Sequence, residues 1–191
     1  PRHRCRIVVL VTRTTAAPAA GSRPSATRRA ITERMEEDPT FYERFSNLLE
    51  KTIQDYRQRR LSEREYLNTV TDIAEKVGTR DRGADIPVTL RGNDDGQAFY
   101  GILKERLNGD AGPGLSDDDT AQVALDVIGI IHRHHIVDIW SNDVAQNAMR
   151  NAIDDYFFDV LRDERGIELP VEALDDIETR IMDLARARFP G

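Results

Sequence analysis

The sequence predicts an all-α fold, an irregular bundle of about six amphipathic helices. Three observations carry that expectation. From residue 28 onward apolar residues recur every three or four positions, each such stretch is bracketed by helix start and stop residues, and no segment sustains the period-two alternation with β-branched enrichment that marks a strand.

Each element has its own punctuation. Asp38-Pro39 supplies an N-cap and a proline at the first helical position, where a missing N–H costs nothing. Phe41, Phe45, Leu48, Leu49, Thr52, Ile53 and Tyr56 then draw one apolar stripe down a helix expected to run to about Arg60. Ser62-x-x-Glu65 is a capping box for the next helix, with Leu61 placed to staple onto Tyr66, a stripe of Tyr66, Val70, Ile73 and Val77, and Gly78 as its expected close. Residues 78–93 carry glycines and a proline and read as a long connection. A shorter helix follows with Phe99, Ile102, Leu103 and Leu107 on one face, then the breaker "GDAGPGLS". Ser116-x-x-Asp119 opens the fourth main helix, whose inward side is Val123, Ala124, Val127, Ile128 and Ile131. The fifth should begin near Ser141 or Asn142, turn Met149, Ala152, Ile153, Tyr156, Phe157 and Val160 inward, and end around Arg165-Gly166. Pro170 starts the last, with Leu174, Ile177, Ile181 and Leu184.

A chain of 191 residues is enough for one substantial core. No apolar run approaches the roughly 20 residues needed to cross a bilayer, so no membrane partner is expected. The single cysteine, Cys5, allows no internal disulfide and no thiolate cluster, and the cytoplasm is the expected compartment. Charge is unevenly spread. Residues 1–32 carry seven arginines and no acid, leaving 20 Lys+Arg against 34 Asp+Glu in the remainder, a formal net of −14. Such an acidic body argues against broad phosphate-backbone binding, which needs a basic face. Residues 1–27 are rich in Arg, Ala, Thr and Pro, and their only apolar run is Ile7 to Val11, too short for a signal-peptide core; they read as a disordered basic lead-in or an artefactual segment ahead of a helical unit at 28–191. Without an initiating methionine the chain reads as a fragment of something longer.

Chemistry-bearing patterns are few. "IHRHHIVDIW", residues 131–140, gathers three of four histidines. On a helix His132 and His135 share a face and His134 points elsewhere, so at most two of them meet one metal, and zinc wants three or four ligands. A metal-dependent nuclease of the HNH kind, centred on His132, His134, His135 and Asp138, is the alternative reading of "HHIV" as the opening of a strand. It lacks the later metal-binding histidine of that family, since none occurs after His135. The favoured reading is a helix end, where cationic side chains complement the negative end of the macrodipole. No P-loop and no G-x-S-x-G elbow is present, so no catalytic, cofactor-binding or metal-binding residue is assigned. Arg57, Arg59, Arg60 and Arg64 form the best basic patch, suited to a helix C-terminus, to an acidic partner, or to duplex DNA. Gln146, Asn147, Arg150, Asn151 and Asp155, following Asp138 and Trp140, form a polar helix face that reads either as solvated surface or as a docking surface, with Arg150 able to pair with Asp154.

Taken in order, "FYERFSNLLEKTIQDYRQRRLSEREYLNTVTDIAEKV", "AFYGILKERL" and "IVDIWSNDVAQNAMRNAIDDYFFDVLRDERGIELPVEALDDIETRIMDLARAR" resemble the C-terminal helical region of the motor (R) subunit of type I restriction enzymes. The most specific part is "AFY", then "VD" with a nearby Trp, then "QN-x-x-RN-x-IDD". One departure is clear: a Trp is expected directly after Asp138, and Ile139 stands there instead. The resemblance implies a parent with an N-terminal nuclease domain and two helicase-type lobes that hydrolyse ATP with magnesium to translocate DNA. It implies that this helical region, itself not an enzyme, helps attach the motor to the methyltransferase (M) and specificity subunits. Partners would then be that core and the rest of the R subunit, with DNA reached only through the parent. Asp138, Trp140, Gln146, Asn147, Arg150, Asn151 and Asp155 are the residues expected at the docking surface.

Overall fold

A computed structural model describes residues 23–83, 86–108 and 114–191. Within these residues there are seven α-helices and no strand, as the periodicity predicts in kind. The additional helix is α1 (Arg23–Glu33), which begins five residues ahead of the expected start and inside the stretch read as a lead-in. Ile31, 1% exposed, is the only large apolar side chain α1 buries, so its sequence has too thin a stripe to show a period. Residues 1–22, and with them Cys5, lie outside the described residues.

Local signals place the remaining helices closely. Before α2 (Pro39–Arg57) the Asp38 carboxylate accepts the Phe41 N–H at 3.2 Å. α2 stops three residues short of Arg60 because Arg59 takes left-handed geometry (φ 57°) and the Arg60 N–H returns to the Asp55 carbonyl at 2.8 Å. α3 (Glu63–Thr79) carries the expected capping box, the Glu65 N–H donating to Ser62 Oγ at 3.3 Å and the Ser62 N–H to Glu65 Oε2 at 2.8 Å. Tyr66, expected to meet Leu61, stacks on Tyr56 with ring centroids 4.3 Å apart. Gly78 stays helical; the cap is Arg80 in left-handed geometry (φ 54°), held there by ion pairs to Glu37 and Asp94. Ile31, Phe41, Tyr42, Phe45, Leu49, Val70, Ile73 and Val77 form the core of this three-helix layer.

The second layer holds the larger core. Its first piece is a 3₁₀ turn, Val88–Leu90, in which Leu90 is fully buried although it lies in the stretch read as plain connection. α4 (Asp94–Leu107) is capped by Asn93, α5 (Asp117–His134) by Ser116 and α6 (Asp143–Asp155) by Asn142, each accepting a first-turn N–H. α7 (Val171–Arg188) starts after Pro170. Phe99, Leu103, Val127, Ile131, Met149, Ile153, Ile177 and Ile181 meet in the middle.

α6 continues without a break into a π-helical stretch, Tyr156–Glu164, and this corrects its apolar face. Met149, Ile153, Phe157 and Leu161 are buried at successive steps of four. In a 3.6-residue helix each such step drifts by about 40°, and the wider i→i+5 winding takes that drift up. Leu161 is therefore the inward residue and Val160, the expected one, is only half-buried.

The two layers meet along a seam of close backbone approach and charge. Gly101 on α4 faces Thr40 on α2, and a Cβ there would lie 3.2 Å from the Thr40 Cβ, so glycine sets the contact distance. Arg188 bonds Asp95 at 2.5 Å and donates to the Glu37 carbonyl at 2.6 Å, while Arg82 pairs with Asp38 and lies over the Phe41 ring. Burial, then the Arg188 charge, draws the Arg82 guanidinium down to about 10, with Asp94 opposing. α4 and α7 are further tied by Arg106–Asp176 (2.7 Å) and Arg180–Glu105 (3.1 Å).

Candidate functional site

The stretch with the densest signal, "IHRHHIVDIW", is the corner between α5 and α6. α5 ends at His134 with His135 as its cap, its N–H bonded to the Ile131 carbonyl at 2.8 Å. His132, Arg133 and His134 thus occupy the last turn, as charge complementation requires. The chain then reverses through Asp138 in left-handed geometry (φ 58°, ψ 25°), a conformation that Asp tolerates better than most residues, into a 3₁₀ turn, Ile139–Ser141. Ile139, the departure from the expected pattern, is fully buried in the larger core; Trp140 is displaced by one place and lies half-buried across the corner.

What Trp140 covers is the last turn of the chain. Its Nε1–H donates to the Phe189 carbonyl at 2.7 Å, and His135 Nε2 lies 3.0 Å from the same oxygen, which makes that nitrogen the donor. The Phe189 ring meets His132 edge-on at 5.0 Å and stacks near Phe99 at 6.3 Å, while Arg186 lies over the Trp140 ring at 5.3 Å. Two of the three clustered histidines therefore seat an aromatic side chain. No group of three His, Cys, Asp or Glu among the described residues could hold a metal ion, and helix and 3₁₀ turn occupy the place of the hairpin that an HNH-type nuclease requires. His132, His134, His135 and Asp138 thus lie on a helix end and a turn rather than on the hairpin that the nuclease reading places them on.

The polar face of α6 divides in two. Gln146 is buried, its Nε2–H donating to the Ile139 carbonyl at 3.2 Å, and so braces the corner from inside; with Trp140 it belongs to the fold's own packing rather than to a free surface. Arg150 turns to α7, pairing with Glu178 at 3.2 Å rather than with Asp154. Burial, then neighbouring acids, raises the carboxyls of both Asp154 and Glu178 above their usual range. Asn147, Asn151 and Asp155 remain exposed along one edge, with Asp138 exposed at the corner. Beside them Val137 and Val144 are 83% and 80% exposed and Ile136 is 48% exposed, giving this edge an apolar fringe. That fringe was readable only in part, since "IV" before Asp138 looks equally like a core pair.

Arg57, Arg59, Arg60 and Arg64 all lie exposed at the α2–α3 tip. Arg60 pairs with Asp55 at 3.4 Å; among the described residues Arg57, Arg59 and Arg64 make no ion pair. Sequence reasoning missed the charged seam of Asp38, Arg82, Asp95 and Arg188 and the docking of Phe189, whose partners lie 44 or more residues away in the chain.

Residues 26–182 match the family described as type I restriction enzyme HindI endonuclease subunit-like, C-terminal. The chain belongs to this family. Its all-α body is therefore a C-terminal domain of this HindI endonuclease subunit-like family, and the matched span takes in the exposed edge of α6 together with the layer seam and the α5–α6 corner, apart from Arg186, Arg188 and Phe189, which follow it. No curated protein and no solved structure matches the chain. No described helix of this HindI-like domain is long and apolar enough to cross a membrane.

Proposed function

We propose that this HindI-like C-terminal domain is a non-catalytic assembly module that helps fasten the motor subunit to the methyltransferase core of a cytoplasmic type I restriction enzyme. The observation that carries the reading is the family match over residues 26–182, in a span whose side chains are spent on packing, capping and ion pairs. ATP, magnesium and DNA belong, on this reading, to the remainder of the parent subunit, and the specificity subunit is reached through the M subunit. The exposed edge of Asn147, Asn151 and Asp155, with Val137, Val144 and Ile136 beside it, is the favoured contact. Short amides and a carboxylate hydrogen-bond a partner while the aliphatic fringe is desolvated, the usual composition of a non-obligate interface.

Co-purification tests it. The tagged 191-residue chain should retain purified cognate M subunit on a column, with full-length R subunit as positive control. Retention by the R subunit but not by this chain overturns the assembly role.

A further inference from the structure

The tip of the three-helix layer carries a cleft that the assembly reading leaves unused. It has a volume of about 390 Å³, and its apolar wall is Pro24 from α1, Ile53 and Tyr56 from α2, and Tyr66 and Leu67 from α3. On each of α2 and α3 the lining residues follow the i, i+3, i+4 spacing of one helical face: Ile53, Tyr56 and Arg57 on the first, Glu63, Tyr66 and Leu67 on the second. The stacked Tyr56–Tyr66 pair forms the floor, and Tyr56 remains 38% exposed.

Three arginines at this end, Arg57, Arg59 and Arg64, make no ion pair among the described residues. Arg57 lines the cleft with Arg28 and Glu63, and Arg59 and Arg64 follow close by in the chain, all exposed. Residues 57–64 hold four arginines against one glutamate, in a body whose formal charge is strongly negative. Arg59 also holds left-handed geometry, where glycine would be accommodated at less cost, without making an ion pair in return. Arg80, the left-handed residue that caps α3, does pair.

We propose that this cleft docks an acidic protein segment that inserts one aliphatic or aromatic side chain against Tyr56 and Tyr66 and lays its carboxylates on Arg57, Arg59 and Arg64. An apolar anchor in a pocket with charge complementarity around it is the common form of peptide recognition. A nucleic-acid backbone fits less well. The cations form a short cluster at one helix tip rather than a track. The chain's own residues 1–22 carry Arg2, Arg4, Arg6 and Arg13 and no acid, so they repel the same rim. This site is on the α1–α3 layer and stands or falls separately from the α6 edge.

The test is an array of random synthetic dodecapeptides probed with the full 191-residue chain, followed by titration of the best binders. Expected are peptides with two or more Asp/Glu beside a Leu, Phe or Trp, whose affinity drops roughly tenfold or more in Arg57→Glu/Arg59→Glu/Arg64→Glu and on raising salt. Tyr56→Ser should weaken binding while leaving the acidic preference in place. Unaltered circular dichroism and melting in both variants exclude misfolding as the cause. Absence of selection, or selection indifferent to acid content or to the triple substitution, overturns the proposal. So does arginine-dependent binding of a duplex DNA, self-association lost in the triple variant, or peptide binding that appears only after Ile7–Val11 are changed to serine; these outcomes assign the cleft to nucleic acid, to a second copy or to the chain's own upstream segment.

Discussion

Replacing Phe189 by alanine removes the ring that closes the α5–α6 corner while sparing the backbone carbonyl to which Trp140 and His135 bond. A fully buried Phe→Ala change costs about 3–5 kcal/mol. Phe189 is half-buried, against His132 at 5.0 Å and Phe99 at 6.3 Å, so about half of that, ~2 kcal/mol, is the expected loss. Urea unfolding provides the assay, because Trp140, the only tryptophan of the chain, reports on the corner directly while far-UV circular dichroism reports on the helices. With a urea dependence of about 2 kcal/mol per molar, the midpoint should fall by about 1 M, and folded-state Trp140 emission should shift to the red. A midpoint unchanged within about 0.2 M, with unaltered emission, would refute the idea that the last turn of the chain is a structural part of the corner.

Two further substitutions probe the packing and the charge. Gly101→Ala gains up to about 1 kcal/mol of helix propensity but sets a Cβ 3.2 Å from the Thr40 Cβ, which cannot rotate away; overpacking of about 1–3 kcal/mol should win, and thermal melting should show net destabilisation. Arg150→Met removes the cation facing Glu178, whose carboxyl is already raised by burial and by Asp154. A raised carboxyl means that the folded state binds the proton more readily than the unfolded one, so stability from this cluster grows as pH falls through the carboxylate range. The variant should lose about 0.5–1 kcal/mol at pH 7 and recover most of it relative to the parent chain near pH 4.5, in urea titrations at both values. Equal losses at the two pH values would contradict the assignment of Glu178 as the group left uncompensated.

Helix caps and apolar stripes were legible because they are local: Asp38, Ser62, Ser116 and Asn142 each satisfy an N–H within their own first turn, and the side chains needed to see this lie three residues apart. α1 was not legible, since one buried isoleucine makes no period. The slip from Val160 to Leu161 shows the limit of assuming 3.6 residues per turn, because the π winding of Tyr156–Glu164 shifts which residue faces the core. Among the site residues, Asn147, Asn151 and Asp155 fell on an exposed edge, while Gln146 and Trp140 were drawn into the corner. Nothing in the sequence distinguished them, since what decides their burial is the Ile139 carbonyl and the Phe189 segment. The histidines invited a chemical reading; they prove to be the seat of a phenylalanine 54 residues from His135.

The assembly account is tested most directly by measuring the affinity of the cognate M subunit for full-length R subunit carrying Asn147→Ala, Asn151→Ala and Asp155→Arg together. Isothermal titration calorimetry should show association weakened by roughly tenfold or more, with ATPase activity and melting temperature of the R subunit retained. Unchanged affinity would contradict the assignment of this α6 edge as the contact with the methyltransferase core.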